Sequence, residues 1–473
     1  MDRLLVSAAH KSSGKTTITL GLCAALAARG QRVQPFKKGP DYIDPMWLAQ
    51  AAGRPCYNLD PYLTDAAQLQ RCFTGALGDA QIAIVEGNKG LYDGLALDGS
   101  NSNAALARQL GLPVLLVLDA RGMTRGVAPL ILGYQAFDRD IRIGGVILNR
   151  VGGARHEAKL RAVIEHYTDV PVLGAIAEDP RLALAERHLG LMCSSEVADA
   201  SQRVAAIGEI VAAQVDLEQV RALAASAGAG PAVAPRRAGS QRRDLRIGIA
   251  RDRAFGFYYP DDLQALEAEG ATLVPFDTLR DQRLPDLDGL FIGGGFPEAC
   301  MDELEANVAL RAALREAIED GLPAYAECGG LMYLARSITW RGRTARMVGA
   351  IPGDAVMHER PVGRGYMRLS ETGAMPWPGE PADGEPAGPV HGHEFHHSSL
   401  DNLPPGMAFA YRVQRGHGID GKHDGLVVHN LLASYAHLRS GAGSQWAGRF
   451  AAFVRQARRN PVAVAPEALA LSI

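Results

Sequence analysis

The feature that most constrains this chain is the regular return of short apolar runs between longer amphipathic stretches. Residues 4–8, 32–36, 82–86, 114–119 and 144–149 are such runs, each followed by a loop and a segment with helical periodicity. Five or six apolar residues bounded by turn formers make a buried strand. Strands that alternate with helices make a parallel sheet covered on both faces. Sheets of this kind build their sites in the loops after the carboxyl ends of strands. The chemistry-bearing residues described below follow such strands.

The rhythm stops and restarts. Residues 222–243 are rich in Ala, Gly, Pro, Ser and Arg, keep no apolar period, and read as a linker. Beyond them, runs at 246–250, 273–276, 289–292 and 323–326 predict a second α/β domain that ends in a helix over 445–459. The expected organisation is therefore a domain over 1–221, a linker over 222–243 and a domain over 244–473. A chain of 473 residues is too long for one core, which agrees. A formal net charge of −3 gives no basic surface for nucleic acid or membrane. Six scattered cysteines without a CxxC pair, and a start without a signal-peptide pattern, fit a cytoplasmic protein.

After the first strand comes Ser12-Ser13-Gly14-Lys15-Thr16-Thr17, opening a helix. Backbone N–H groups in such a loop wrap phosphate oxygens. Lys15 would reach the β- and γ-phosphates of ATP, and the Thr16 hydroxyl would face Mg²⁺. Ala9 stands where GxxxxGK[ST] has its first glycine. Asp41 and Asp44, in a Gly/Pro-bounded loop, and Glu86, at the end of a strand, are acids that could complete a metal site, since Mg²⁺ takes one or two carboxylates plus phosphate and water. Asp41 and Asp44 read equally well as turn formers. Asn149, ending its strand, could bond a base or cap the next turn.

In the second half, Glu327-Cys328-Gly329-Gly330 lies between a strand and a helix. The glycines allow the tight turn of a nucleophile elbow, at a helix N-terminus that favours thiolate. Gly293-Gly294-Gly295 can aim N–H groups at the same point as an oxyanion hole, and His437 is the candidate base. Arg439 follows where a second histidine would complete an HLH pattern, and no carboxylate is evident to orient His437. Residues 393–397 spell HExxH. Zinc binding by that motif needs a helix, and the Gly and Pro residues before it predict a loop or strand instead.

Together these residues resemble the cobyrinic acid a,c-diamide synthase family. The matching segments are SSGKTT, VQPFKKGPDYIDP, RPCYNLD, EGNKGLYDG, ERHLGL, FYYPDDLQALEAEGA, FIGGGFPE, AYAECGGLMYL, GHEFHHS and SYAHL, in one order along nearly the whole chain. The resemblance implies a P-loop parallel-sheet domain similar to dethiobiotin synthetase, followed by a class I glutamine amidotransferase-like α/β domain. It implies glutamine- and ATP-dependent amidation of tetrapyrrole acetate groups through an acyl phosphate, with Mg²⁺ as cofactor. By resemblance, Cys328 and His437 act on glutamine, with Gly294 and Gly329 at the oxyanion. Ser12–Thr17 and Asn149 hold ATP, and Thr16, Asp44 and Glu86 hold the metal. Lys37, Asp41, Tyr42 and Asp44 meet the acceptor. The partners implied are a small-molecule tetrapyrrole, ATP and glutamine, with a homodimer as the oligomeric option. Many family members have an apolar residue at position 38 and Val-Met at 88–89, where this chain has Lys38, Asn88 and Lys89. The same chemistry on a sirohaem-type macrocycle is therefore an alternative. A P-loop regulatory ATPase with a degenerate glutaminase is a third.

Overall fold

Along β1 (Asp2–Ala8) the side chains of Leu4, Val6 and Ala8 enter one apolar cluster and Leu5 enters another. Period-two alternation with both faces buried requires cover on each side of the sheet. The computed structural model describes the chain except residues 185, 188–189, 229–241, 380–387, 442–443 and 460–473. It divides into two units, Met1–Arg236 and Arg237–Ile473.

In the first unit β1 is followed by α1 (Lys15–Ala28), β2 (Val33–Lys38), α2 (Ile43–Ala52), β3 (Tyr57–Leu59), α3 (Ala66–Leu77), β4 (Ile82–Glu86) and α4 (Asn103–Leu110). Next come β5 (Val114–Asp119), α5 (Val127–Phe137), β6 (Ile143–Val151), α6 (Ala154–Tyr167) and β7 (Val172–Ala177). A short hairpin, β8 (Glu186–Arg187) and β9 (Gly190–Leu191), precedes α7 (Ala200–Gln214) and α8 (Leu217–Ala225). The main sheet has the order β3-β2-β4-β1-β5-β6-β7, and every pair is parallel. Ile18 and Leu22 of α1, Trp47 of α2 and Ile207 of α7 cover one face, while Phe73 of α3, Leu106 of α4, Ile131 of α5 and Ile164 of α6 cover the other. Each such fully buried side chain contributes roughly 1.5–3 kcal/mol.

Two details depart from the sequence reading. The strand expected over 32–36 runs on to Lys38, so Lys37 and Lys38 are strand residues on opposite faces. A strand this buried tolerates two lysines because each ammonium finds acceptors. Asp44 lies in the first turn of α2 rather than in a loop, because Asp41 Oδ1 accepts the N–H groups of Ile43 and Asp44 at 2.9 and 3.1 Å and so starts the helix. As for the stretch 222–243, α8 carries its first residues as helix with Leu223 and Ala224 buried, and 229–241 lie outside the described residues.

The second unit has β10 (Leu245–Ala250), β11 (Phe255–Phe257), α9 (Pro260–Ala268), β12 (Ala271–Phe276), β13 (Gly289–Ile292) and β14 (Gly294–Gly295). Helices α10 (Met301–Ala306) and α11 (Val308–Glu319) lead to β15 (Ala324–Glu327) and α12 (Gly329–Leu334). Then follow β16 (Ser337–Trp340), β17 (Arg343–Arg346), β18 (Asp354–Met357), β19 (Gly363–Glu371), β20 (Val390–His396), β21 (Ser398–Asp401), β22 (Ala408–Arg415), β23 (His423–Val428), β24 (Leu431–Ser434), β25 (His437–Leu438) and α13 (Trp446–Arg459). Its large sheet has the order β12-β10-β13-β15-β24-β23-β22-β19-β20-β25. Pairing is parallel from β12 to β24 and antiparallel from there to β25. The antiparallel half was not legible in advance, because its strands alternate polar and apolar residues and lack the continuous apolar runs of the parallel half. Among the described residues no helix is long and apolar enough to cross a membrane.

Candidate active site

β15 delivers Cys328 at its carboxyl end. The residue has φ 47° and ψ −100°, a conformation that costs a non-glycine residue energy and that the surrounding structure must hold. Its N–H donates to Ser434 O of the neighbouring parallel strand at 2.7 Å. That strand, β24, leads through Tyr435 and Ala436 to His437. Buried Asp424 pins the connection, taking the N–H groups of Tyr435 and Ala436 at 3.0 and 2.8 Å and the Ser434 hydroxyl at 2.9 Å. Cys328 and His437 are thus carried to one point by adjacent strands and hydrogen-bond each other. Gly294 completes the corner: a Cβ there would stand 2.7 Å from His437 Cε1, so only glycine fits. The preceding N–H, of Gly293, donates to the Tyr258 hydroxyl at 3.1 Å, and that hydroxyl donates to Ala250 O at 2.6 Å, which fixes the glycine loop.

His437 is buried. Burial by itself would lower its pKa, but the bonds to Cys328 and Glu327 outweigh it and carry the imidazolium up to about 10. The expectation that no carboxylate faces this histidine is corrected here: Glu327 Oε2 lies 3.1 Å from His437 Nδ1. Residue order conceals it, because a strand residue and its neighbour ordinarily point to opposite faces, and the turn at Cys328 breaks that rule. The ring of His393 stacks on His437 with centroids 4.9 Å apart, and burial, then His437 and Arg439, keep it neutral, well below the usual histidine range. Arg439 pairs with Asp261, and its guanidinium lies 4.6 Å from the centre of the Tyr259 ring. The first four HExxH letters fall on β20, a strand, and His397 on the bend after it, so His393 faces His437 while the next residues alternate away. Among the described residues no group of three or more His, Cys, Asp or Glu is placed to hold a metal ion.

In the first unit the loop after β1 takes left-handed φ values at Ser12 (64°) and Gly14 (91°). Ala9 is not one of the left-handed positions, so alanine in place of glycine meets no conformational demand; its carbonyl accepts from Tyr134 Oη at 2.6 Å. The Ser13 hydroxyl donates to His10 O at 2.9 Å. Asn149 supports the loop from beneath: Nδ2 donates to Ser13 O at 2.9 Å, and a Cβ on Gly14 would lie 2.1 Å from that nitrogen. Its Oδ1 accepts the Arg150 N–H at 3.0 Å, so in this state Asn149 braces the loop rather than facing outward. Thr17 follows, half-buried, in the first turn of α1. Burial lowers the Lys15 ammonium to about 8, against the pull of Glu86.

Beside Lys15 lies a charge cluster. Lys37 Nζ donates to Asp44 Oδ2 at 2.5 Å and Glu86 Oε1 at 2.9 Å, and stands 3.7 Å from Asp41 Oδ2. The Thr16 hydroxyl lies 2.6 Å from Glu86 Oε1 and 3.2 Å from Asp44 Oδ2. Burial alone would lower Lys37, but Asp44, Glu86 and Asp41 outweigh it and hold the ammonium charged. Burial raises Glu86 against Lys37, whereas Asp44, despite burial, is held below the usual carboxylate range by Lys37. The structure thus brings Thr16, Lys37, Asp41, Asp44 and Glu86 together; Tyr42 sits half-buried at the start of α2. Lys38 is different. It is fully buried on the other face of β2, donating to Asn101 O at 2.5 Å and Asn88 Oδ1 at 3.2 Å, and burial lowers it to about 8. Lys11 and Lys89 are exposed.

Residues 5–191 match the CobQ/CobB/MinD/ParA nucleotide binding domain, and residues 246–444 match the CobB/CobQ-like glutamine amidotransferase domain. Over 462 residues the chain is 47% identical to the cobyrinate a,c-diamide synthase of Magnetococcus marinus, covering 96% of this chain and 98% of that protein. The chain belongs to the cobyrinate a,c-diamide synthase family. Further members include the synthase of Methanosarcina acetivorans, 43% identical over 95% of this chain and 94% of that protein, and that of Listeria monocytogenes, 37% identical over 93% and 96%. The family makes this chain a glutamine-hydrolysing ligase with a nucleotide-binding first unit. A regulatory ATPase with a degenerate glutaminase is set aside by the same matches and by the intact Cys328–His437 pair.

Proposed function

We propose that this enzyme converts the a and c acetate carboxylates of a cobyrinic acid-type tetrapyrrole into carboxamides, using ATP and glutamine. The observation that carries the reading is end-to-end identity to synthases of that name. In the second unit, Cys328 Sγ attacks the glutamine carboxamide carbon, with the developing oxyanion received by N–H groups at Gly294 and Gly329. His437 gives its proton to the departing nitrogen, the C–N bond breaks, and ammonia leaves a thioester that water hydrolyses to glutamate. In the first unit, the backbone of residues 12–17 and Lys15 hold the ATP phosphates. The acceptor carboxylate attacks the γ-phosphorus, the bond to the β–γ bridging oxygen breaks and ADP leaves, and ammonia then displaces phosphate from the acyl phosphate. Activation is needed because a carboxylate is a poor electrophile at neutral pH.

Thr16, Asp44 and Glu86 are the residues that would hold Mg²⁺. Their oxygens converge, and Glu86 Oε2 is buried without a hydrogen-bond partner among the described residues, a donor set that suits a hard cation. When bound, such an ion neutralises phosphate charge. Lys37 and Asp41, with Tyr42 beside them, face the acceptor.

A second reading, the same amidation on sirohaem or sirohydrochlorin, is favoured by one observation. The departures at 38 and 88 touch each other, Lys38 donating to Asn88, so they form one altered support under the loop after β4. Mass spectrometry of products from cobyrinate, sirohydrochlorin and sirohaem, incubated in parallel with ATP and glutamine, tests both. Two OH-to-NH₂ replacements on cobyrinate support the first reading, and the same change only on a sirohaem-type substrate supports the second. No change with any of them overturns tetrapyrrole amidation.

A further inference from the structure

Glu327 has three bonds and no role in the chemistry given above. Its Oε1 accepts the Tyr325 hydroxyl at 2.6 Å and the Leu438 N–H at 3.1 Å, while its Oε2 faces His437 Nδ1 at 3.1 Å. The residue is 2% exposed and directly precedes the nucleophile. From the geometry we infer that Glu327 is the positioning residue of the glutaminase, a carboxylate that fixes the ring and tautomer of His437 from the strand carrying Cys328 itself. The inference rests on the assignment of Cys328 and His437 as the working pair.

Three observations converge on it. First, an acceptor at Nδ1 means that His437 carries its N–H there, which leaves Nε2 as the nitrogen for the thiol. Second, the other carboxylate oxygen is itself immobilised from two directions, so Oε2 is aimed rather than free to rotate. Burial, then Glu327, pushes the Tyr325 phenol far up, so its hydroxyl stays a donor. Third, the Leu438 bond ties the same carboxylate to the backbone next to His437. The distance between base and orienting group is therefore set by one rigid unit, the end of β15 and β25. Nucleophile–base pairs generally need such a third group. The carboxylate takes no proton in the cycle: it holds the Nδ1–H while Nε2 shuttles the proton between sulfur and the departing ammonia.

The test uses full-length enzyme carrying Glu327→Gln. Glutamine keeps a carbonyl for the Tyr325 hydroxyl and the Leu438 N–H, so the structural bonds survive. Its NH₂ cannot accept from Nδ1–H, so the positioning bond does not. Glutamate release from glutamine should fall by about 10²- to 10⁴-fold in kcat with little change in KM, as expected for a wrong-tautomer histidine. Amidation from ammonium chloride should stay at the wild-type rate. The limb of the pH profile of glutamate release that reports His437 should move down, because one of the bonds that hold its imidazolium up is lost. Glu327→Asp should restore part of the turnover. A merely structural glutamate would leave the pH profile where it is, and that result overturns the inference, as does glutamate release within about threefold of wild type. A parallel Cys328→Ala enzyme separates the two levels. If it still releases glutamate, the nucleophile assignment fails; if it is dead while Glu327→Gln is normal, only the role of Glu327 fails.

Discussion

The two units handle buried charge in opposite ways. Around Cys328 the central groups are matched within the chain: His437 lies between the thiol and Glu327, and Asp424 holds the connecting loop. Around Thr16 one ammonium, Lys37, is shared among Asp41, Asp44 and Glu86, and one buried oxygen of Glu86 has no hydrogen-bond partner among the described residues. The first suits the proposed glutaminase role, because attack on an amide needs atoms already oriented. The second is an electrostatic balance that, on the proposed function, incoming phosphate and carboxylate would shift, because phosphoryl transfer relies on charges that arrive with the ligands.

The sharpest break in this comparison is Cys328→Ala. Glutamine-supported turnover should fall by about 10⁴-fold or more, while ammonium salts still support amidation. Equal loss from both nitrogen sources would mean that the pair is not confined to the glutaminase step. Next in size is Lys15→Ala, which should cut synthesis by about 10²- to 10³-fold from glutamine and ammonia alike, as loss of a transition-state donor does. Glutamate release, assayed alone, should persist. If it vanishes too, the two units are not separable in function.

Lys37→Met probes the balance itself. It strands three carboxylates against one another, so urea unfolding should show a loss of about 3–5 kcal/mol at pH 7, as for other broken buried pairs. An unchanged midpoint would show that the acids are screened by something other than Lys37. The smallest effect belongs to Asp41, whose carboxyl is raised to about 7 by burial and then by Asp44. A carboxyl raised in the folded state favours folding below its unfolded pKa, near 4, and that contribution is lost as pH rises through about 7. Wild-type stability should therefore decline between pH 4 and 7 by an increment that Asp41→Asn removes. Urea midpoints measured across that range check it, and identical slopes for the two proteins would refute it.

Much of this was legible in residue order. Most strands of the first sheet and of the parallel half of the second showed as apolar runs, though β3, β7 and β24 did not, and the phosphate loop and cysteine elbow showed as glycine-flanked motifs directly after such runs. These signals are local, since burial period and φ-permissive glycines act within a few residues. The resemblance that rests on those segments agrees with the family to which the chain belongs. Tertiary structure alone decided who meets whom. Lys37 and Glu86 are 49 residues apart yet share a bond because β2 and β4 pair in parallel with Lys37 opposite Glu86. Glu327 and His437, 110 residues apart, meet because β15 and β24 are neighbours and the chain bends at Tyr435 and Ala436. Lys38, which by sequence could face an acceptor, is instead sealed under Asn88 and Asn101 because it points to the opposite side of its strand from Lys37. Sequence determines which residues a strand can present; only strand pairing fixes the partner each side chain reaches.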